Sequence, residues 1–174
     1  MDRHSEAEFE DFVARSGRSL LRTAWLLSGD RGHAEDILQT VLERTARRWA
    51  RLDGDAEAYA RRSVINLATD RWRRRRARVV EVPLIASSDD SGYAPDDPTA
   101  LIDLRRELLC ALRQLPPRQG AVLVLRYFED LDEAQTAFTL GVSVGTVKSS
   151  ASRGLARLRL LVPELDPSSP TPKS

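Results

Sequence analysis

The sequence predicts an all-α protein of two small helical domains joined by an acidic flexible linker, and three observations predict it. Apolar residues recur near every 3.6 positions along most of the chain, and no segment shows a convincing strand alternation or an internal repeat. The periodicity lapses between Val79 and Asp97, where Pro83, Ser87, Ser88, Asp89, Asp90, Ser91, Gly92 and Pro95 collect. Charge is segregated as well: residues 1–80 hold 17 Arg against 13 acids, residues 81–103 six acids and no base, and residues 104–174 ten bases against seven acids. A formal net charge of +1 therefore conceals two basic blocks around an acidic strap.

The elements follow in order. Phe9, Phe12, Val13, Leu20, Ala24 and Leu27 share one face of a helix over residues 6–28, which Ser28-Gly29-Asp30 ends. A second helix over 31–51 turns Ala34, Ile37, Leu38, Val41, Leu42 and Trp49 inward. After Asp53-Gly54, Asp55 caps a third whose stripe runs Tyr59, Ala60, Ser63, Val64, Leu67, Ala68 and Trp72. These three close one core over residues 6–78. The linker occupies 79–97, and the second domain spans 98–162. There Asp97-Pro98 opens a helix carrying Leu101, Leu104, Leu108 and Leu112, and Leu115-Pro116-Pro117 stops it. A fifth helix runs from Arg118 to Phe128, and two more complete a four-helix unit. Residues 163–174, with Asp166-Pro167-Ser168-Ser169-Pro170-Thr171-Pro172, read as a disordered tail.

Several function classes are excluded at this stage. No apolar run approaches the roughly 20 residues that span a bilayer, and the first residues lack a signal-peptide layout, so a cytoplasmic location without membrane insertion is expected. Cys110 is the one cysteine; its neighbours Leu108, Leu109 and Leu112 predict a buried thiol. His4 and His33 are isolated, no metal-ligand spacing occurs and no glycine-rich phosphate loop follows a strand, so neither catalysis nor a cofactor nor a metal is expected. His33 reads as a surface or capping residue.

Two elements point to nucleic acid. Asp132-Glu133-Ala134-Gln135 has the spacing of a capping box, and Leu140-Gly141-Val142-Ser143 then makes a tight turn, with Gly141 for the left-handed backbone and Ser143 as the next N-cap. The pair forms a helix-turn-helix. In its second helix Val144, Val147 and Leu155 form an inward stripe, while Lys148, Ser149, Ser150, Ser152 and Arg153 face outward, as major-groove docking requires. The second element is Arg71-Trp72-Arg73-Arg74-Arg75-Arg76-Ala77-Arg78, six arginines in eight residues. Their dipole complementarity at a helix C-terminus is offset by mutual repulsion, so a polyanion is the better account.

With Ala34-Glu35-Asp36-Ile37-Leu38-Gln39, the run Ala58 to Arg74 and Leu115-Pro116-Pro117-Arg118-Gln119 added, the chain resembles an extracytoplasmic-function (group IV) RNA polymerase sigma factor of the short actinobacterial type over residues 6–162. The resemblance implies that residues 6–78 are sigma region 2, which grips the polymerase clamp helices and captures the melted -10 element. Residues 98–162 would be region 4, which reads the -35 element and touches the flap. It places Asp36 and Gln39 on the core-polymerase interface, a segment that by its residues alone reads as a solvated helix face. Asn66 falls near the pocket for an extruded base, where a carboxamide offers both donor and acceptor. Arg61, Arg62, Arg71, Arg73, Arg74 and Arg75 would follow the opened strand, contributing affinity more than sequence choice. Ser143, Thr146, Lys148, Ser149, Ser150 and Arg153 would serve the -35 element. Ser150 and Ala151 stand where many relatives have arginine and leucine, which implies a reduced -35 affinity or an altered -35 preference.

The linker's length agrees with this reading. Eighteen residues from Val79 to Asp96 reach at most about 60 Å at roughly 3.4 Å each. A family spacer of about 17 base pairs at roughly 3.4 Å rise is of the same length, a requirement that the domains' own width relaxes. An anti-sigma protein wedged between the two domains is a common partner of relatives. The competing reading, a regulator whose N-terminal helices dimerise or sense a ligand, leaves the arginine tract and the Asp36–Gln39 segment without a purpose.

Overall fold

The computed structural model describes residues 3–52, 55–78 and 99–165; the linker and the tail beyond Leu165 lie outside them. All regular structure among the described residues is helical. Helices α1 (Arg3–Ser28), α2 (Arg31–Arg48) and α3 (Ala56–Arg78) form the first module. Its core joins Phe12, Leu20, Ala34, Ile37, Val41, Val64 and Ala68. Ala24, Ala34 and Ala60 are completely buried, and side chains this small let three helix axes approach closely. At one end Phe9 meets Trp49 edge to face at 5.2 Å, with Phe12 at 5.4 Å from the same indole. Trp49 belongs to a 3-10 turn, Trp49–Arg51, so α2 stops three residues before its expected end. Asp30 caps α2 by accepting from the His33 amide at 2.7 Å. The core assignment of Trp72 falls outside the described side chains.

The second module contains α4 (Thr99–Gln114), α5 (Pro117–Leu123), α6 (Glu133–Leu140) and α7 (Val144–Leu161). Ala111, Leu112, Leu115, Leu123, Leu158 and Val162 make one core, and Val122, Ala137 and Val147 another beneath the helix-turn-helix. Cys110 is exposed, which corrects the expectation of a buried thiol. The buried stripe of α4 runs through Leu104, Leu108, Ala111, Leu112 and Leu115, and a residue two places from both Leu108 and Leu112 is turned about 200° away. The expected helix from Arg118 to Phe128 also changes character. It starts with Pro117 at its first position and gives way after Leu123 to a π-turn, Val124–Phe128.

The two modules touch directly. Ile65 of α3 packs with Ala121 and Leu125, flanked by Leu27, Leu131 and Leu140, and the Arg113 guanidinium lies 5.7 Å from the Trp25 ring.

Candidate nucleic-acid and protein interfaces

The helix-turn-helix is built by local chemistry. Asp132 Oδ1 accepts from the Gln135 amide at 2.7 Å while Gln135 Oε1 accepts from the Asp132 amide at 2.9 Å, the full reciprocal capping box. Gly141 ends α6 at φ 64°, where a Cβ would be strained, and the Val142 amide turns back to the Ala137 carbonyl at 3.0 Å. Ser143 then caps α7 through the Thr146 amide at 3.2 Å, and its hydroxyl also meets that of Thr146 at 2.9 Å.

The buried face of α7 runs Val147, Ser150, Gly154 and Leu158. Two assignments are corrected by that phase. Ser150 is 6% exposed, so it does not belong to the outward face; it lies three residues after the fully buried Val147 and on the same side. Val144, expected inward, is 39% exposed at the first position of α7. A side chain at Gly154 would come within 3.0 Å of Leu123 Cδ1, so α7 lies against α5 as closely as the backbone permits. The outward face keeps Lys148, Ser152 and Arg153, with Thr146 and Ser149 half-buried. Lys148 Nζ stands 3.4 Å from Glu133, Ser149 returns its hydroxyl to the Thr146 carbonyl at 3.1 Å, and Arg153 Nε donates to the Ser149 carbonyl at 3.1 Å.

On α3, Arg62, Asn66 and Arg73 share one face at intervals of four and seven, and all three are exposed, as is Arg74. Arg73 has only a loose contact, 4.0 Å, with Asp70. The other arginines are engaged. Arg61 pairs with Glu57 at 2.8 Å, and Arg71 is joined to His33 Nε2. His33 Nδ1 lies 2.8 Å from Asp30 Oδ1, so the imidazole sits between the start of α2 and the end of α3. Arg62 reaches across to the second module. It donates from Nε to the Thr139 carbonyl at 2.9 Å and from Nη2 to that of Phe138, with the guanidinium 5.6 Å from the Phe138 ring. The side chain of Arg75 lies outside the described ones.

Asp36 and Gln39 are both exposed on α2, as expected. Gln39 borders an open groove of about 470 Å³, floored by Phe9, Leu38, Leu42 and Ala46 and rimmed by Glu35 and Glu43. The i, i+4 pair of Leu38 and Leu42 was legible as apolar but reads as core; only the packing of α1 shows that it fronts a groove. One further residue carried no sequence signal. Glu129, 3% exposed at its side chain, accepts from Thr23 Oγ1 at 2.8 Å, from Arg22 at 3.3 Å and from the Ser19 hydroxyl. No group of three metal-ligating side chains occurs among the described residues, and no described helix is long and apolar enough to cross a membrane.

Known proteins match both modules in this order. The sequence model of sigma-70 region 2 matches residues 12–78, and that of sigma-70 region 4 residues 105–158. The RNA polymerase sigma-E factor of Streptomyces coelicolor is 40% identical over 165 residues, covering 91% of this chain and 89% of its own. Its namesake in Streptomyces avermitilis is 42% identical over 161 residues, covering 90% and 86%. The ECF RNA polymerase sigma factor SigM of Mycobacterium tuberculosis is 34% identical over 157 residues, covering 88% and 76%. Among solved structures, the sigma factor RpoE in complex with the anti-sigma factor NepR from Bartonella quintana superposes with a TM-score of 0.71 at 23% identity, over 91% of this chain and 98% of that one. CnrH, in complex with the cytosolic domain of CnrY, gives 0.66 at 22% identity, over 92% and 91%.

Proposed function

The chain belongs to the extracytoplasmic-function sigma factors of the sigma-70 family and directs promoter-specific transcription initiation with core RNA polymerase, and from that premise we propose which of its surfaces perform each step. The supporting observation is the pairing, in one chain, of an exposed α3 face bearing Arg62, Asn66 and Arg73 with a capped recognition helix bearing Lys148 and Arg153.

Residues 6–78 act as region 2 and residues 98–162 as region 4, with 79–97 as the tether. Asp36 and Gln39, beside the groove at Leu38 and Leu42, meet the polymerase clamp helices, and their exposure supports this. Asn66 takes the edge of a base drawn from the non-template strand, its carboxamide offsetting the lost stacking. Arg73, Arg74 and Arg75 neutralise the phosphates beside it, joined by Arg61, Arg62 and Arg71 once these leave their intramolecular partners. At the -35 element Ser143 and Thr146 lie where the helix N-terminus faces phosphate, and Lys148, Ser149 and Arg153 project toward the groove. Ser150, being buried, sets the seat of α7 instead. The protein supplies no catalytic group of its own and works in the cytoplasm, where polymerase is. The complexes of RpoE with NepR and of CnrH with CnrY support an anti-sigma partner for this chain too.

The test is reconstitution. Purified core polymerase with this protein should start transcripts at discrete sites on its native genome, and mobility shifts of those fragments should require core. A strong shift of duplex DNA by the protein alone, with no transcription, would favour a simple DNA-binding regulator.

A further inference from the structure

We infer that Glu133 is the positioning residue of Lys148: the carboxylate at the start of α6 holds the ammonium group on α7, so that this lysine meets a base edge of the -35 element rather than the nearest phosphate. The consequence for promoter choice rests on the sigma-factor reading; the ion pair does not.

The pair spans the two helices of the helix-turn-helix, and both of its ends are fixed. Lys148 Nζ stands 3.4 Å from Glu133 Oε2. Glu133 is the first residue of α6, directly after Asp132, so the reciprocal capping box sets the backbone that carries it. Lys148 is the fifth residue of α7, beyond the Ser143 cap, and follows the fully buried Val147. Ala137, one turn along α6 from Glu133, packs with Val147 in the core between the helices. The other cation of this face is held differently: Arg153 donates to the Ser149 carbonyl of its own helix. Lys148 is thus anchored from across the turn.

An acid in the first turn of a helix complements the dipole, and that alone would account for Glu133. It does not account for the lysine opposite. The two side chains are 39% and 63% exposed, and ion pairs this open to water contribute little to stability. The effect of the contact therefore lies in where the ammonium sits.

A lysine is a compact charge with three donors on a flexible stem. Left free near DNA, it settles on phosphate, which adds affinity for any sequence and one more displaced counterion. With Glu133 beside it, the charge is offset and one donor is occupied. The remaining donors suit neutral acceptors, and in the major groove guanine presents two together, O6 and N7. The same carboxylate repels phosphate. Glu133 thereby lowers binding to wrong sequences more than to the right one, and discrimination rises.

The ion pair is read first in the free full-length protein, by nitrogen-15 NMR of the lysine ammonium groups. Lys148→Met identifies the signal, and Lys173 is the reference. Glu133→Gln should shift the Lys148 signal and quicken its hydrogen exchange with water while Lys173 stays in place. An unmoved Lys148 signal would overturn the pair. Promoter choice is then read with holoenzyme, on a fragment that supports run-off transcription and on the same fragment with each -35 base pair replaced in turn. Glu133→Gln should bind the replaced fragments severalfold more tightly and steepen the salt slope by about one, so that discrimination at a guanine falls. In a Lys148→Met background the same change should leave discrimination unaltered. Equal discrimination with and without Glu133, or the same loss in the Lys148→Met background, would overturn the positioning role. A genome that yields no start site with core while the Lys148 signal responds would remove the sigma-factor reading and leave the ion pair standing.

Discussion

Ser150 and Lys148 are two residues apart on α7, yet one is buried and the other is 63% exposed at its side chain. Their substitutions should therefore separate. Lys148→Ala should weaken -35 binding by polymerase holoenzyme by about 1–3 kcal/mol if it reads a base, or lower the salt slope by about one if it meets phosphate. Ser150→Ala, whose side chain turns inward, should leave both unchanged, and titrations at several salt concentrations distinguish the outcomes. Gly154→Val should destabilise region 4 by about 2 kcal/mol, since Leu123 already stands at the limit of approach and overpacking outweighs the gain in helix propensity. Thermal melting checks it. The sequence misplaced Ser150, Val144 and Cys110 for a common reason. Polarity and neighbours along the chain say little about azimuth when a helix is packed on one narrow side, and the small residues that let helices approach, Gly154 and Ser150, carry no hydrophobic signal.

The helix-turn-helix shows which elements are legible. Its capping box, left-handed glycine and serine N-cap each depend on residues within four positions, and all three stand where local rules put them. Asp132→Ala removes one arm of the box and should cost region 4 about 1 kcal/mol. For a unit of this size that lowers the melting transition by about 4–8 °C, measured by circular dichroism. The π-turn after Leu123 was not legible, and neither was the contact that Glu129, just after it, makes with α1 over 100 residues away. On α2 the sequence exposed Asp36 and Gln39 correctly but could not show the groove that α1 completes beside them. Asp36→Arg reverses an exposed charge on the same helix as that groove and should abolish co-purification with core polymerase while leaving the helicity of the free protein intact. Unaltered co-purification would remove Asp36 from the interface.

At the scale of the molecule, the division into two helical modules was legible because the apolar period stops at Val79 and resumes beyond Asp97. Their mutual packing was not, since Ile65, Leu125 and Glu129 each look like ordinary members of their own module. The tether connects these two facts. When the modules hold separate promoter elements, the tether must cover whatever part of the roughly 60 Å between them the width of the modules does not. Removing ten residues between Leu84 and Tyr93 leaves about ten, which extend no further than roughly 35 Å. The shortened chain should keep its helicity and its capture of core polymerase, which needs only region 2. Initiation at promoters with the usual spacing should fall tenfold or more, because region 4 no longer reaches the -35 element while region 2 holds the -10 strand. Replacing the ten residues with glycine and serine separates reach from charge. Recovery of transcript yield in a run-off assay assigns the loss to length, whereas full activity of the shortened chain would mean that the two modules do not bind the promoter together.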